Sequence, residues 1–184
     1  MPILGVIASQ NYPRTTSSYE AISSYTATGS VSDITFSSIP STYKILQFRM
    51  MTRDASASSG DRSIFAQFNG DSSTSNYSWN RIYSYPGSYG LDFNNTSGSA
   101  FAGITIANAS SPTDDYGADI FEIIDYANTS KTKQTRQYGG SSQSQFNSAS
   151  LWTGTAAINS VRFFCSGGAS FKINTTIALY GIKG

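Results

Sequence analysis

No histidine occurs anywhere in these 184 residues. That removes the usual general acid–base group and the commonest metal ligand. Ser-His-Asp and Cys-His catalysis and histidine zinc sites go with it. A single cysteine, Cys165, excludes an internal disulfide framework. Glutamate occurs only as Glu20 and Glu122, which leaves few candidates for paired-carboxylate chemistry. Charged residues make up 12% of the chain, about half the usual share. With 12 basic residues against 11 acidic ones, there is no electrostatic footprint for nucleic acid or an anionic membrane. Long hydrophobic runs are also missing. The opening Met1–Ser9 is apolar in part, but it has no basic segment before it and is too short for a secretion signal or a membrane span. The Asn-x-Ser/Thr triplets, such as the one at Asn76, read as by-products of composition.

What fills the chain instead is uncharged and polar. Serine, threonine, asparagine and glycine supply 78 of the 184 residues, while aromatic residues still make up 14%. Hydroxyl and amide side chains suit turns and solvent-facing strand positions, and the aromatic content is too high for a disordered chain.

Period-two alternation recurs from end to end. Leu46, Phe48 and Met50 share one face of Lys44–Thr52, and Ile64, Ala66 and Phe68 share one face of Arg62–Phe68. Tyr77, Trp79, Arg81 and Tyr83 alternate with Ser78, Asn80 and Ile82, and Phe171 to Leu179 alternate with Lys172 to Tyr180. This spacing predicts half-buried strands. Further strands are expected at Tyr19–Ala27, Val31–Ser37, Phe101–Ala107, Ala118–Tyr126, Lys131–Tyr138, Gln145–Trp152 and Ile158–Cys165. Polar clusters including Asn69–Ser75, Asn94–Ser99 and Gly139–Ser144 separate them as turns. The expected fold is all-β: a single-domain antiparallel β-sandwich of the jelly-roll kind over residues 17–184. Residues 1–16 form either an extended N-terminal arm or a first strand.

Each candidate for chemistry has a plainer structural reading. Alternation puts Glu122 on the face of Ile120 and Ile124, where it is expected to pair with an arginine or lie on a subunit contact. Asp54–Asp61 has the outline of a calcium loop, but its glycine comes one position late and Phe65 stands where a bidentate acid is required. The basic run Lys131–Arg136 is expected to protect an edge strand, and Cys165 to be an inert core residue. No catalytic residue, cofactor or metal is expected. The candidate partner contacts are the apolar run Ile3, Leu4, Val6 and Ile7 with Tyr12, and the aromatic stretch Trp79, Tyr83, Tyr85 and Tyr89.

Five segments carry a family resemblance: Met1–Ser9, Phe36–Gln47, Asn76–Trp79, Asp125–Lys131 and the ending Ala178–Gly184. Together they resemble short virion proteins of tailed bacteriophages, especially phages of aquatic bacteria and cyanobacteria. The resemblance implies a non-enzymatic virion component and transfers no functional residue. The leading expectation is a capsid decoration (cement) protein. It would be made in the host cytoplasm, form a homotrimer and sit on the outer capsid surface against the major capsid protein, with no nucleic acid or membrane partner. The alternative is a tail-associated module that binds a host-surface glycan. A polysaccharide depolymerase is disfavoured by the chain's size and its missing acids.

Overall fold

A computed structural model describes residues 18–56, 62–105 and 114–184. Ile3, Leu4, Val6, Ile7 and Tyr12, and with them the choice between arm and first strand, lie outside the described residues. Twelve strands run through the described residues: β1 (Tyr19–Thr26), β2 (Asp33–Phe36), β3 (Ile45–Thr52), β4 (Arg62–Phe68), β5 (Tyr77–Tyr85), β6 (Ser88–Ser97), β7 (Ala100–Thr105), β8 (Gly117–Ile124), β9 (Lys133–Gly140), β10 (Gln145–Trp152), β11 (Val161–Cys165) and β12 (Thr176–Ile182). The only helical feature among the described residues is one 3-10 turn at Ser166–Gly168.

The strands form two antiparallel sheets packed as a sandwich. One has eight strands in the order β1-β12-β3-β8-β9-β10-β5-β6, and the other has four in the order β2-β11-β4-β7. The chain crosses repeatedly from one sheet to the other, and the hairpins β5–β6 and β9–β10 extend the larger sheet beyond β8.

Alternation separates the two faces of each strand, and in β3 and β4 the face with the large apolar side chains is the buried one. Leu46, Phe48 and Met50 of β3 point inward and meet Ile64, Ala66 and Phe68 of β4 and Phe163 of β11 in the main core. Phe48 packs edge-on against Phe36 at 5.5 Å and Phe163 at 4.9 Å. Burying each such ring contributes about 1.5–3 kcal/mol, plus about 0.5–1.5 kcal/mol for the ring pairing. A second, smaller core forms under the extension, where Trp79, Phe101 and Phe146 pack together with Phe65, Tyr83 and Tyr85 against them.

Several element boundaries depart from the sequence expectation. The last strand begins at Thr176 rather than Phe171, because Asn174 takes a left-handed φ of 68° and its N–H bonds to the Ala27 carbonyl. Strand β8 ends at Ile124, where Asp125 turns the chain with φ of 51°. The ten-residue β6 was not expected at all, since Asn94–Ser99 reads as a turn. The expected edge-strand role of Lys131–Arg136 is also overturned: β9 lies inside the sheet, between β8 and β10.

Candidate docking surface

The β5–β6 hairpin closes on Pro86-Gly87. Proline presets the first turn position, and Gly87 supplies the positive φ of 78° that the second requires. From there the two strands alternate in register. Trp79, Arg81, Tyr83 and Tyr85 face inward with Asn94, Asp92 and Gly90, while Asn80, Ile82 and Ser84 face outward with Phe93, Leu91 and Tyr89. Gly90 leaves room for the Tyr83 ring: a β-carbon there would meet the Tyr83 hydroxyl at 2.7 Å.

The inward face is a closed aromatic box around one cation. The Arg81 guanidinium lies 5.0–5.6 Å from the ring centres of Trp79, Tyr83, Phe101 and Phe146. Its Nη2 donates to Asp92 Oδ2 at 2.8 Å, and its Nη1 to Ser63 Oγ at 3.3 Å. Trp79 is 9% exposed, Tyr83 stacks on Phe146, and Tyr85 meets Phe146 edge-on. Of the four aromatic contacts expected from the sequence, only Tyr89 offers its ring freely to solvent, at 89% exposure.

The outward face carries what the sequence reading missed. Leu91 is 79% exposed, Phe93 71%, Ile82 60% and Tyr138 48%. The register joins them. One row runs across seven strands, through Ala178, Arg49, Ile120, Tyr138, Asn147, Ile82 and Leu91. Two open grooves lie along this face on either side of Tyr138. One, of about 450 Å³, is bordered by Arg49, Met51, Ala118, Ile120 and Ala178. The other, of about 330 Å³, is bordered by Ile82, Arg136, Asn147 and Ala149. The signal in the sequence was Tyr89-x-Leu91-x-Phe93, which has strand period. Its small and polar alternate residues disguised it as a loop.

A polar ladder crosses the same face in the neighbouring row. Gln47, Glu122 and Arg136 are cross-strand partners on β3, β8 and β9. Arg49 Nε donates to Gln47 Oε1 at 2.9 Å, Gln47 Nε2 donates to Glu122 Oε1 at 2.7 Å, and Arg136 Nε donates to Glu122 Oε2. Both oxygens of this buried carboxylate are therefore engaged, one of them by a cation. Glu20 sits three strands away on the opposite face, paired with Lys183 and hydrogen-bonded by Tyr43 at 2.8 Å. Lys183 first, then Tyr43, hold its carboxyl below the usual range. Placed this way, the two glutamates cannot flank one scissile bond as a carboxylate pair must.

The remaining candidates are absorbed by structure. Lys131 pairs with Asp125 at 3.6 Å, and Lys133 is buried with its ammonium donating to the carbonyls of Asn128, Lys131 and Thr155. Burial pushes the Cys165 thiol up to about 12, helped by the nearby Asp54 charge. Asp54 itself caps Ser56 and pairs with Arg62 at 3.4 Å; the rest of the expected loop, residues 57–61, lies outside the described residues. Among the described residues, no group of three or more Cys, Asp or Glu could hold a metal ion, and no helix is long and apolar enough to cross a membrane.

No family model matches the chain, and no curated protein does. Two solved structures of scytalido-glutamic peptidase align with it, one with a peptide-based transition-state analogue and one with a transition-state analogue inhibitor. They are 10% and 12% identical, and each alignment covers 86% of this chain and 66% of that one with a TM-score of 0.27. Likeness at that level carries no argument about chemistry.

Proposed function

We propose that the protein is a non-enzymatic structural component of a phage virion, a decoration protein that docks on the major capsid protein as a symmetric homo-oligomer. The observation that carries the docking part is the outward face of the eight-stranded sheet, where Ile82, Leu91, Phe93 and Tyr138 are exposed in neighbouring rows beside open grooves. Clustered exposed apolar side chains of this kind mark interaction surfaces. The virion assignment rests on the resemblance of the segments from Met1–Ser9 to Ala178–Gly184. The interleaved order β1-β12-β3-β8 over β2-β11-β4-β7 supports a jelly-roll reading with two inserted hairpins, a fold frequent in viral shells, although fold alone does not assign function. The non-enzymatic reading is supported by Glu122, whose oxygens are taken by Gln47 and Arg136.

Binding of the purified chain to capsid shells that lack it tests this reading. Wild-type protein cosediments with shells and the Tyr138→Glu variant does not. Equal cosedimentation of both removes the face from the account, and absence of binding removes the capsid role. The tail-module alternative is favoured by the Tyr138 ring between two shallow grooves, a platform on which a sugar can stack. Glycan binding lost in Tyr138→Ala, with no shell binding, selects it.

A further inference from the structure

An open strand edge needs a partner or a defence, and among the described residues three of the four sheet edges are defended. The β1 edge is broken by a register shift between Ala21 and Ser23, and it carries the Glu20–Lys183 pair. The β2 edge is four residues long, with the Asp33–Arg162 pair beside it. The β7 edge is buried at Ala100, Phe101 and Ala102. Strand β6 lacks these protections over Ser88–Asn94; its one register shift lies beyond Asn94, opposite Tyr77 and Trp79. It runs for ten residues with β5 on one side, and no strand lies on the other among the described residues. It contains no lysine, arginine or proline, and its one charge, Asp92, is already neutralised by Arg81. Edges of this length and character pair with other strands.

We propose that β6 pairs antiparallel with β6 of a second copy about a two-fold axis at Leu91, joining two eight-stranded sheets into one. Self-pairing fits because the apolar set is symmetric. With Leu91 opposite Leu91, Tyr89 falls opposite Phe93 and Gly90 opposite Asp92, so all three exposed apolar residues gain apolar partners and no like charges face each other. Moving the axis one residue on, to Asp92, would set two carboxylates opposite one another, which is unfavourable. The exposed surfaces of Tyr89, Leu91 and Phe93, with the strand edge itself, offer at most roughly 600 Å² per copy. Two copies together thus reach at most the low end of specific interfaces, about 1,200 Å², which fits a dimer that forms at micromolar concentration. Such an isologous contact closes on itself, as two-fold interfaces do. The proposal rests on the strand edge alone and does not depend on the virion reading; within an assembly, it places a two-fold axis where a three-fold was expected.

Sedimentation of the full chain over a concentration series up to about 100 μM should give a dimer. Leu91→Lys should weaken dimerisation about tenfold or more, with an unchanged far-UV spectrum. Directly opposed β-carbons lie within disulfide reach, so Leu91→Cys should oxidise to a covalent dimer. Ile82→Cys, one strand further in, should not, and the buried Cys165 does not compete. A chain that stays monomeric throughout overturns the proposal. So does any oligomer, trimer included, that survives Leu91→Lys and gives no Leu91→Cys cross-link.

Discussion

Ile82 and Leu91 face each other across the β5–β6 hairpin, and both point to solvent at 60% and 79% exposure. Their contact adds little to folding, so Ile82→Thr and Leu91→Thr should each move the unfolding free energy by no more than about 1 kcal/mol. Phe146→Ala, on the other face of the same sheet, should cost about 3–5 kcal/mol. Urea denaturation distinguishes the two faces. Comparable losses at Ile82 and Phe146 would mean that the outer face is covered within the protein itself.

Arg81 should be as important to the second core as the rings around it. Its guanidinium lies among four rings and bonds Asp92. Arg81→Met is expected to cost roughly 2 kcal/mol. Arg81→Lys should recover only part of this, because an ammonium lacks the planar fork that stacks and donates together. Chemical denaturation of the pair gives the comparison.

Asp71 ties the β4–β5 connection to the core. Its carboxylate accepts from Trp152 Nε1 at 2.7 Å, Asn76 Nδ2 at 2.9 Å and the Ser73 N–H at 2.9 Å. Burial alone would raise its pKa, but these bonds outweigh it and hold the group at about 2, below its ordinary 3.8. A depressed acid contributes stability that is fully present above pH 3.8 and is lost as pH falls toward 2. Because the group is only partly buried, solvent screening reduces the contribution at neutral pH to about 1 kcal/mol. Asp71→Asn should remove that amount at pH 7 and flatten the stability profile between pH 4 and 2, as followed by tryptophan fluorescence.

Cys165 should be silent toward a thiol reagent at pH 8 in the folded protein, because burial pushes its thiol up to about 12. It should react fully once the chain is unfolded in urea. Rapid labelling of the native protein would mean that the β11 end of the core opens readily.

Glu122→Gln should lower stability by about 1–3 kcal/mol, since the Arg136 pair is lost and the buried ladder loses its anion. It should change no hydrolytic rate, because the wild-type chain is expected to turn over neither polysaccharide nor ester. Turnover that disappears in this variant would contradict the non-enzymatic reading.

The core was legible in the sequence because its alternation is backed by large side chains. Leu46, Phe48 and Met50, and equally Ile64, Ala66 and Phe68, are buried as their spacing requires. The phase of β5 was legible too, with Trp79 and Tyr83 on one face and Ile82 on the other. What alternation cannot say is which face a second sheet will cover. Here the aromatic face of β5 went inward and the face of Ile82 stayed outside. Strand β6 was hidden for a related reason: its inward positions are Gly90, Asp92 and Asn94, shaped to fit Tyr83 and Arg81 rather than a hydrophobic core. Pairings such as Gln47–Glu122–Arg136 join strands far apart in sequence, so only the register brings them together.

Counting copies of the protein in purified phage particles, by quantitative mass spectrometry against the major capsid protein, tests the virion role most directly. A decoration protein occupies repeated positions on the shell, so the expected result is on the order of hundreds of copies per particle, set by shell symmetry. A handful of copies would place it on the tail. Its absence from washed, intact particles would contradict a structural role in the virion.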